Sequence, residues 1–242
     1  MNNNEPRITA ETPSYIVVDK PHNMHTAPLH AGEERTLLGW CAHAYPEVLT
    51  VRGRKAMEGG LLHRLDYETA GLVLIARTQS VYDFLAAEQD AGRFEKEYTA
   101  VTQPMPKTAR TVWNMEIYPA LIIPDGIESC TIESCFRHYG LGQKLVKPEP
   151  CESGRFQAAR RYITRILSKE EHGGLVVFRI RLTQGFRHQI RAHLAWTEYP
   201  INNDMRYGGV NTGGPLELTA DSLLFTDPET GTMRAFVRRD GK

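Results

Sequence analysis

The stretch that most constrains the fold is "HRLDYETAGLVLIA", residues 63–76. Its apolar run, residues 72–76, follows Gly71 without interruption and reads as a strand covered on both faces. His63, Arg64 and Asp66 stand just ahead of it. Charged side chains rarely sit so close to a buried strand unless they pair with a partner or act on a ligand. Whatever fold forms must bury residues 72–76 and still find a place for that charge.

The rest of the chain supplies alternating strands and a few helices. "YIVVDKP" (15–21) reads as a short strand stopped by proline. Residues 61–65 are expected as a strand leading into "DYETAG". "RTLLGWCAHAY" has apolar residues near helical spacing and ends before Pro46. Ser80, with Asp83 three residues on, is the expected cap of a helix whose inner face is Val81, Phe84 and Leu85. "EKEYTAV" alternates as a strand. Strands are expected around 112–117 and 129–136, then a basic loop in "GLGQKLVKPEP". In "LVVFRIRLT", Val176, Phe178, Ile180 and Leu182 face one way and Val177, Arg179, Arg181 and Thr183 the other. "EEHGG" before it suits a hairpin turn. "RHQIRAHLAW" reads as a helix with Ile190 and Leu194 on one stripe and Arg187 and Arg191 on another. Two strands, near 222–225 and 232–238, close the chain. Strands that alternate and return by hairpins, with few helices, predict an α+β fold around a mostly antiparallel sheet.

Composition narrows the function classes. No apolar stretch approaches the ~20 residues of a membrane span, and "MNNNEPRITAETPSY" lacks the order of a secretory signal. The expected location is therefore the cytoplasm, with no membrane partner. The four cysteines, Cys41, Cys130, Cys135 and Cys151, form no CxxC pair and are expected as reduced thiols, and no zinc spacing accommodates them. The 29 Lys and Arg balance the 29 Asp and Glu, yet from Arg155 to Arg191 eight Arg and one Lys face only Glu170 and Glu171. From charge alone, that segment is equally a polyanion footprint or a solvated strand face.

No P-loop, GxGxxG, GxSxG or HExxH occurs in the sequence. His188 and His193 are five apart, on different helix faces, which argues against a shared metal. What remains is a set of polar residues at element ends. Asp66, next to Thr69 and Gly71, reads as a nucleophile, a base or a turn-closing residue, and taken alone the turn reading is the stronger. Tyr98, after Lys96, reads as a core residue with its hydroxyl at the rim. Arg191 reads as solvated unless a carboxylate meets it.

Together, "DKP" at 19–21, "HRLDYETAGLVLIA" at 63–76, "KEY" at 96–98, "GFRHQIRAHLAW" at 185–196 and "PINNDMRYGG" at 200–209 resemble the RluA-type pseudouridine synthases. The resemblance implies a curved, mostly antiparallel mixed sheet with flanking helices and a central catalytic cleft. It implies isomerisation of a specific uridine in structured RNA, ribosomal or transfer, with no metal or organic cofactor. Carried over by motif, the catalytic Asp is Asp66, the Tyr of the KxY segment is Tyr98, and the Arg paired with the Asp is Arg191. His63 and Arg64 become cleft residues. Thr69, Lys96, Arg179, Arg181, Arg187, His188, Gln189 and Ile190 join them as expected substrate or RNA contacts. Asp66 attacks C1′ or removes the C2′ proton; the sequence does not choose.

The chain departs from the family pattern at Ala70, where Ser is usual, and at Asn23 and Asn203, where Gly is usual. Arg187 stands directly before His188, which unsettles its role. Residues 1–242 are expected as a single catalytic domain with 1–14 flexible, without a separate N-terminal RNA-binding domain, acting as a monomer with no obligate protein partner. Two other classes fit part of the pattern: a catalytically idle RNA-binding protein on the same fold, and a carboxylate-dependent glycosidase acting on free nucleosides.

Overall fold

The computed structural model describes residues 5–105, 129–151 and 160–239. The strand expected at 112–117 lies outside the described residues, as does Arg155. Contacts divide the chain into two compact units, Met1–Lys96 with Thr219–Lys242, and Glu97–Leu218, a division inside the span that the sequence reading takes as one domain.

In the first unit, β1 (Arg7–Glu11), β2 (Tyr15–Lys20) and β3 (Ala70–Ala76) pair antiparallel in that order. Every residue of β2 and β3 is buried, as the unbroken apolar run requires. Strand β1 falls within the segment expected to be flexible; its register with β2, Arg7 opposite Asp19, explains its order. Helix α1 (Leu37–Ala44) is capped by Thr36, whose hydroxyl accepts the Gly39 N–H. Helix α2 (Gln79–Asp90) begins earlier than expected because Thr78, not Ser80, accepts the Val81 N–H.

Residues 61–65 do not form the expected strand. Only Leu61 bridges to β3, opposite Ile75, and the Leu62 N–H reaches the Leu74 carbonyl. The Leu72 carbonyl, two residues back along the same edge, is met by the His63 ring, its Nε2 at 3.2 Å. A side chain replaces the backbone donor there, and the chain leaves the sheet. The basic loop at 52–60 is tied down: the Arg52 N–H donates to Gln79, the Arg54 N–H to the Tyr82 hydroxyl, and the Arg54 side chain pairs with Asp90 at 2.6 Å.

The second unit is built on β4 (Glu95–Thr102), β5 (Cys130–Tyr139), β6 (Leu145–Glu149), β7 (Tyr162–His172) and β8 (Leu175–Leu182), in the order β4-β8-β7-β5-β6. Strand β8 alternates as expected, with Val176, Phe178, Ile180 and Leu182 buried. Gly173 and Gly174, both at positive φ, make the tight turn from β7. Strand β6 occupies part of the expected basic loop. It sits at the end of the sheet order, where Pro148 is tolerated. The β5–β6 register puts Cys135 opposite Glu149, so Cys151 comes within reach. Cys135 and Cys151 form a disulfide, 5.2 Å between Cα atoms, and are not the free thiols expected. Helix α3 (Gln189–Trp196) follows His188, which adopts a left-handed conformation.

The closing strands β9 (Leu218–Thr226) and β10 (Met233–Val237) form an antiparallel pair, and β9 also runs parallel to β3. At that parallel contact Gly71 has φ +122°, and a Cβ on it would lie 2.2 Å from the Ala220 carbonyl oxygen. Only glycine fits behind the Asp66 turn. The first unit is a mixed sheet, its β3–β9 pairing parallel and the others antiparallel, and strands β5 to β8 of the second unit pair antiparallel; helices are few, which is the α+β class expected. No helix among the described residues is long and apolar enough to cross a membrane.

Candidate active site

Asp66 lies in a turn, not at a strand end. Its carbonyl accepts the Thr69 N–H at 3.1 Å, and the residue is partly exposed. The turn is gripped by residues 20–26. The buried Thr26 hydroxyl donates to the Leu65 carbonyl at 2.8 Å and accepts the Leu65 N–H at 3.1 Å. The Met24 N–H and Lys20 Nζ both donate to the Tyr67 carbonyl, and His22 Nδ1 meets the Glu68 carbonyl at 2.7 Å. Lys20 is fully buried and also donates to the carbonyls of Pro21 and Met24. Burial pushes its ammonium down to about 8, against the pull of the Asp66, Glu68 and Asp19 carboxylates. Every one of these bonds to the turn ends on its backbone, so the position of Asp66 is set by its neighbours.

The other motif residues of this unit take separate roles. His63 spends Nε2 on the Leu72 carbonyl, which places its proton there, while Nδ1 is buried without a partner among the described residues. Burial, then the charge of Lys96, pushes its ring down to about 3. Lys96 is buried with Nζ 5.2 Å from the Phe94 ring centre. Burial, then Arg54, pushes it down to about 8. Arg64 is exposed and pairs with Glu58 at 3.1 Å. The buried Thr69 hydroxyl has no partner among the described residues.

In the second unit, Tyr98 is buried on the face of β4 opposite to Glu97. Glu97 takes both Arg179 and Arg181, at 3.2 and 2.7 Å. Alternation therefore puts those arginines and Tyr98 on opposite faces of this sheet, and the arginines behave as a paired, solvent-side stripe. At the head of α3, Arg187 is exposed and Ile190 is buried. His188 Nδ1 lies 3.1 Å from the Tyr207 hydroxyl. Gln189 is committed to structure: it accepts the Phe186 N–H and donates to the Ile163 carbonyl and the Thr164 hydroxyl.

Arg191 is buried, where a lone helical arginine is expected in solvent. Its Nε and Nη2 hold both carboxylate oxygens of Asp204, at 2.7 and 2.8 Å. Asp204, Lys20 and Thr26 hold these candidate residues in place, and sequence reasoning passed over them. The first two lie in segments whose recurrence was visible, "PINNDMRYGG" and "DKP"; Thr26 carries no comparable signal.

The model of the RNA pseudouridylate synthase family matches residues 14–196. The chain belongs to that family. Relatives named ribosomal large subunit pseudouridine synthase D include one from Vibrio parahaemolyticus, 26% identical over 215 residues, covering 88% of this chain and 56% of the relative. One from Pseudomonas aeruginosa is 24% identical over 205 residues, covering 85% and 54%. The chain thus spans about half the length of the curated relatives it matches. Among solved structures, human RNA pseudouridylate synthase domain containing 1 superposes with a TM-score of 0.65 at 16% identity, covering 99% of this chain and 85% of that one. At that identity the likeness speaks to fold alone, and it supports the α+β assignment.

Proposed function

We propose that this chain isomerises uridine to pseudouridine within RNA, with Asp66 as the reacting carboxylate and Tyr98 and Arg191 assigned to the same reaction. The observation that carries this reading is the turn around Asp66, pinned through its backbone by Thr26 and Lys20 and still partly exposed. Rigid placement of a reacting group is a large source of rate. The names of the relatives favour ribosomal over transfer RNA as substrate, and the cytoplasm as the setting. In the reaction, the C1′–N1 bond breaks, the uracil turns, C1′ bonds to C5, the C5 hydrogen leaves and N1 gains a proton. Asp66 acts at C1′ or C2′, and Tyr98 suits proton transfer at C5.

The test uses an unmodified transcript of large-subunit ribosomal RNA carrying tritium at uracil C5. Wild type should release tritium to water and retain uracil in the chain. Release of free uracil instead would mean a glycosidase, and RNA binding without tritium release would mean an idle module.

A further inference from the structure

The segment 201–209 has no part in the reaction as assigned to Asp66, Tyr98 and Arg191. Its centre is Asp204. The side chains of Arg191 and Asp204 are 2% and 0% exposed. They meet as two parallel prongs, Nε to Oδ2 and Nη2 to Oδ1. This geometry fixes a guanidinium in plane as well as in position. Its Cζ lies over the Tyr207 ring, 5.5 Å from the ring centre. That ring is held in turn by its hydroxyl, within hydrogen-bond reach of His188 Nδ1 and of the Val146 N–H and carbonyl.

Asp204 is equally fixed. Its N–H donates to the Ile201 carbonyl, and its carbonyl accepts from Tyr207 and Gly209. Its Oδ1 also accepts the Arg206 N–H at 3.2 Å. A Cβ on Gly209 would fall 1.9 Å from the Ile201 oxygen, so the loop closes this tightly only with glycine there. Two of the five N–H donors of the Arg191 guanidinium go to Asp204. Because the group is planar, fixing those two fixes the direction of the other three.

We propose that Asp204 is the positioning residue of Arg191, setting the plane and the edge that the guanidinium brings to the reaction. This rests on the assignment of Arg191 to that reaction. A carboxylate that served only to neutralise a buried charge would need neither two prongs nor a clamped loop.

The experiment compares wild type, Asp204→Asn, Asp204→Glu, Arg191→Met and the double variant Arg191→Met/Asp204→Asn. Single-turnover tritium release, KM for the same transcript and thermal unfolding are read for each. Asp204→Asn should slow the chemical step about 10- to 100-fold, the cost of a misplaced group, with KM changed less than about twofold. Asp204→Glu keeps the charge on a longer arm and should recover part of the rate. In the Arg191→Met background, Asp204→Asn should slow the reaction no further, since it acts only through the missing guanidinium. An undiminished rate for Asp204→Asn, or an equal slowing in both backgrounds, overturns the inference. So does a loss of rate matched by loss of folded protein. Should Asp204→Asn not fold, Asp204→Glu with and without Arg191→Met carries the same comparison. A wild-type rate for Arg191→Met would instead overturn the assignment of Arg191, and the inference with it.

Discussion

The Asp66 turn and the Arg191 helix hold their key residues in opposite ways. The Asp66 turn is anchored through backbone: Thr26 on Leu65, Lys20 and Met24 on Tyr67, Thr69 on Asp66 itself. Arg191 is held by its side chain, buried against Asp204 and Tyr207. The difference follows from what each group is asked to do. A partly exposed carboxylate held through its neighbours keeps its position without burying its charge. A buried guanidinium needs a carboxylate at once, because an unpaired charge in the interior costs several kcal/mol. Damage to the first arrangement should loosen geometry, whereas damage to the second should strand a charge.

The largest expected effect separates these two kinds of damage. Asp66→Asn is nearly isosteric and leaves every backbone anchor in place, so folding should be unchanged. The amide neither attacks nor takes a proton as the carboxylate does, and tritium release should fall about a thousandfold or more. RNA affinity should persist, since phosphate contacts supply most of it. Wild-type turnover by this variant, with deamidation excluded by mass spectrometry, would remove Asp66 from the chemistry.

Next in size is Thr26→Val, which tests anchoring through the backbone directly. Valine matches the shape and deletes the hydroxyl, leaving the Leu65 N–H and carbonyl without their shared partner. Two stranded polar groups should cost about 2–4 kcal/mol in denaturant unfolding. The rate should drop about tenfold from lost placement, with KM for RNA unchanged. A stable variant with full activity would show that Asp66 does not depend on this clamp.

How much of this was legible in the sequence depends on where the signal lay. Strand β3 was readable because its apolar run allowed few other placements. Strand β8 was readable because its alternation survives folding intact. Residues 61–65 misled because the strand pattern was real, but the His63 ring took the Leu72 carbonyl that a continuing strand needs. Strand β6 was hidden under Lys, Pro and Gly, and only its pairing with β5 makes it a strand. The disulfide was hidden for the same reason: sixteen residues separate Cys135 and Cys151, and only the register joins them. At the site, motif residues could be named but their contacts could not. Nothing in "GFRHQIRAHLAW" says that Arg191 is buried or that Asp204 meets it. Long-range pairing is a property of the folded sheet order, not of local pattern.

A smaller effect compares one histidine from each unit, the half-buried His63 and the fully buried His193. His63 and His193 are both pushed down to about 3, chiefly by burial. His193 is met at Nε2 and Nδ1 by the hydroxyls of Ser134 and Thr164, each at 2.8 Å, and no carboxylate among the described residues holds a proton on the ring. The unfolded chain binds a proton at each histidine below pH ~6.5, and the folded chain does not until about 3. Stability from these groups is therefore complete above pH ~6.5 and is lost as pH falls towards 3. Replacing His193 by Asn should flatten unfolding free energy against pH between about 4 and 6, by up to about 1.4 kcal/mol per pH unit. Proton NMR should show both rings neutral at pH 5. A ring that titrates near pH 6.5 would mean its site opens to water.

The smallest effect comes from one matched position in each region. Asn23, in the segment that grips the Asp66 turn, has φ 56°, and Asn203, beside Asp204, has φ 63°. Glycine, usual in the resembling family at both places, adopts such backbone freely, and Asn is the side chain that tolerates it best. The two differ in what else they do. Asn23 is exposed, and no side-chain bond tethers it among the described residues. Asn203 Nδ2 donates to the Thr212 hydroxyl and the Pro215 carbonyl, at 2.8 and 2.9 Å, and its Oδ1 accepts the Thr212 N–H at 2.7 Å. Asn23→Gly should thus leave unfolding free energy within about 0.5 kcal/mol of wild type. Asn203→Gly gives up those bonds along with any relief of strain, and should cost about 1 kcal/mol. It should also slow tritium release about two- to threefold, if loosening the 201–209 loop loosens Asp204. Equal, near-zero effects at both positions would mean that the second region tolerates slack as well as the first. Its clamp would then be the Arg191–Asp204 pair alone, with the surrounding loop merely following it.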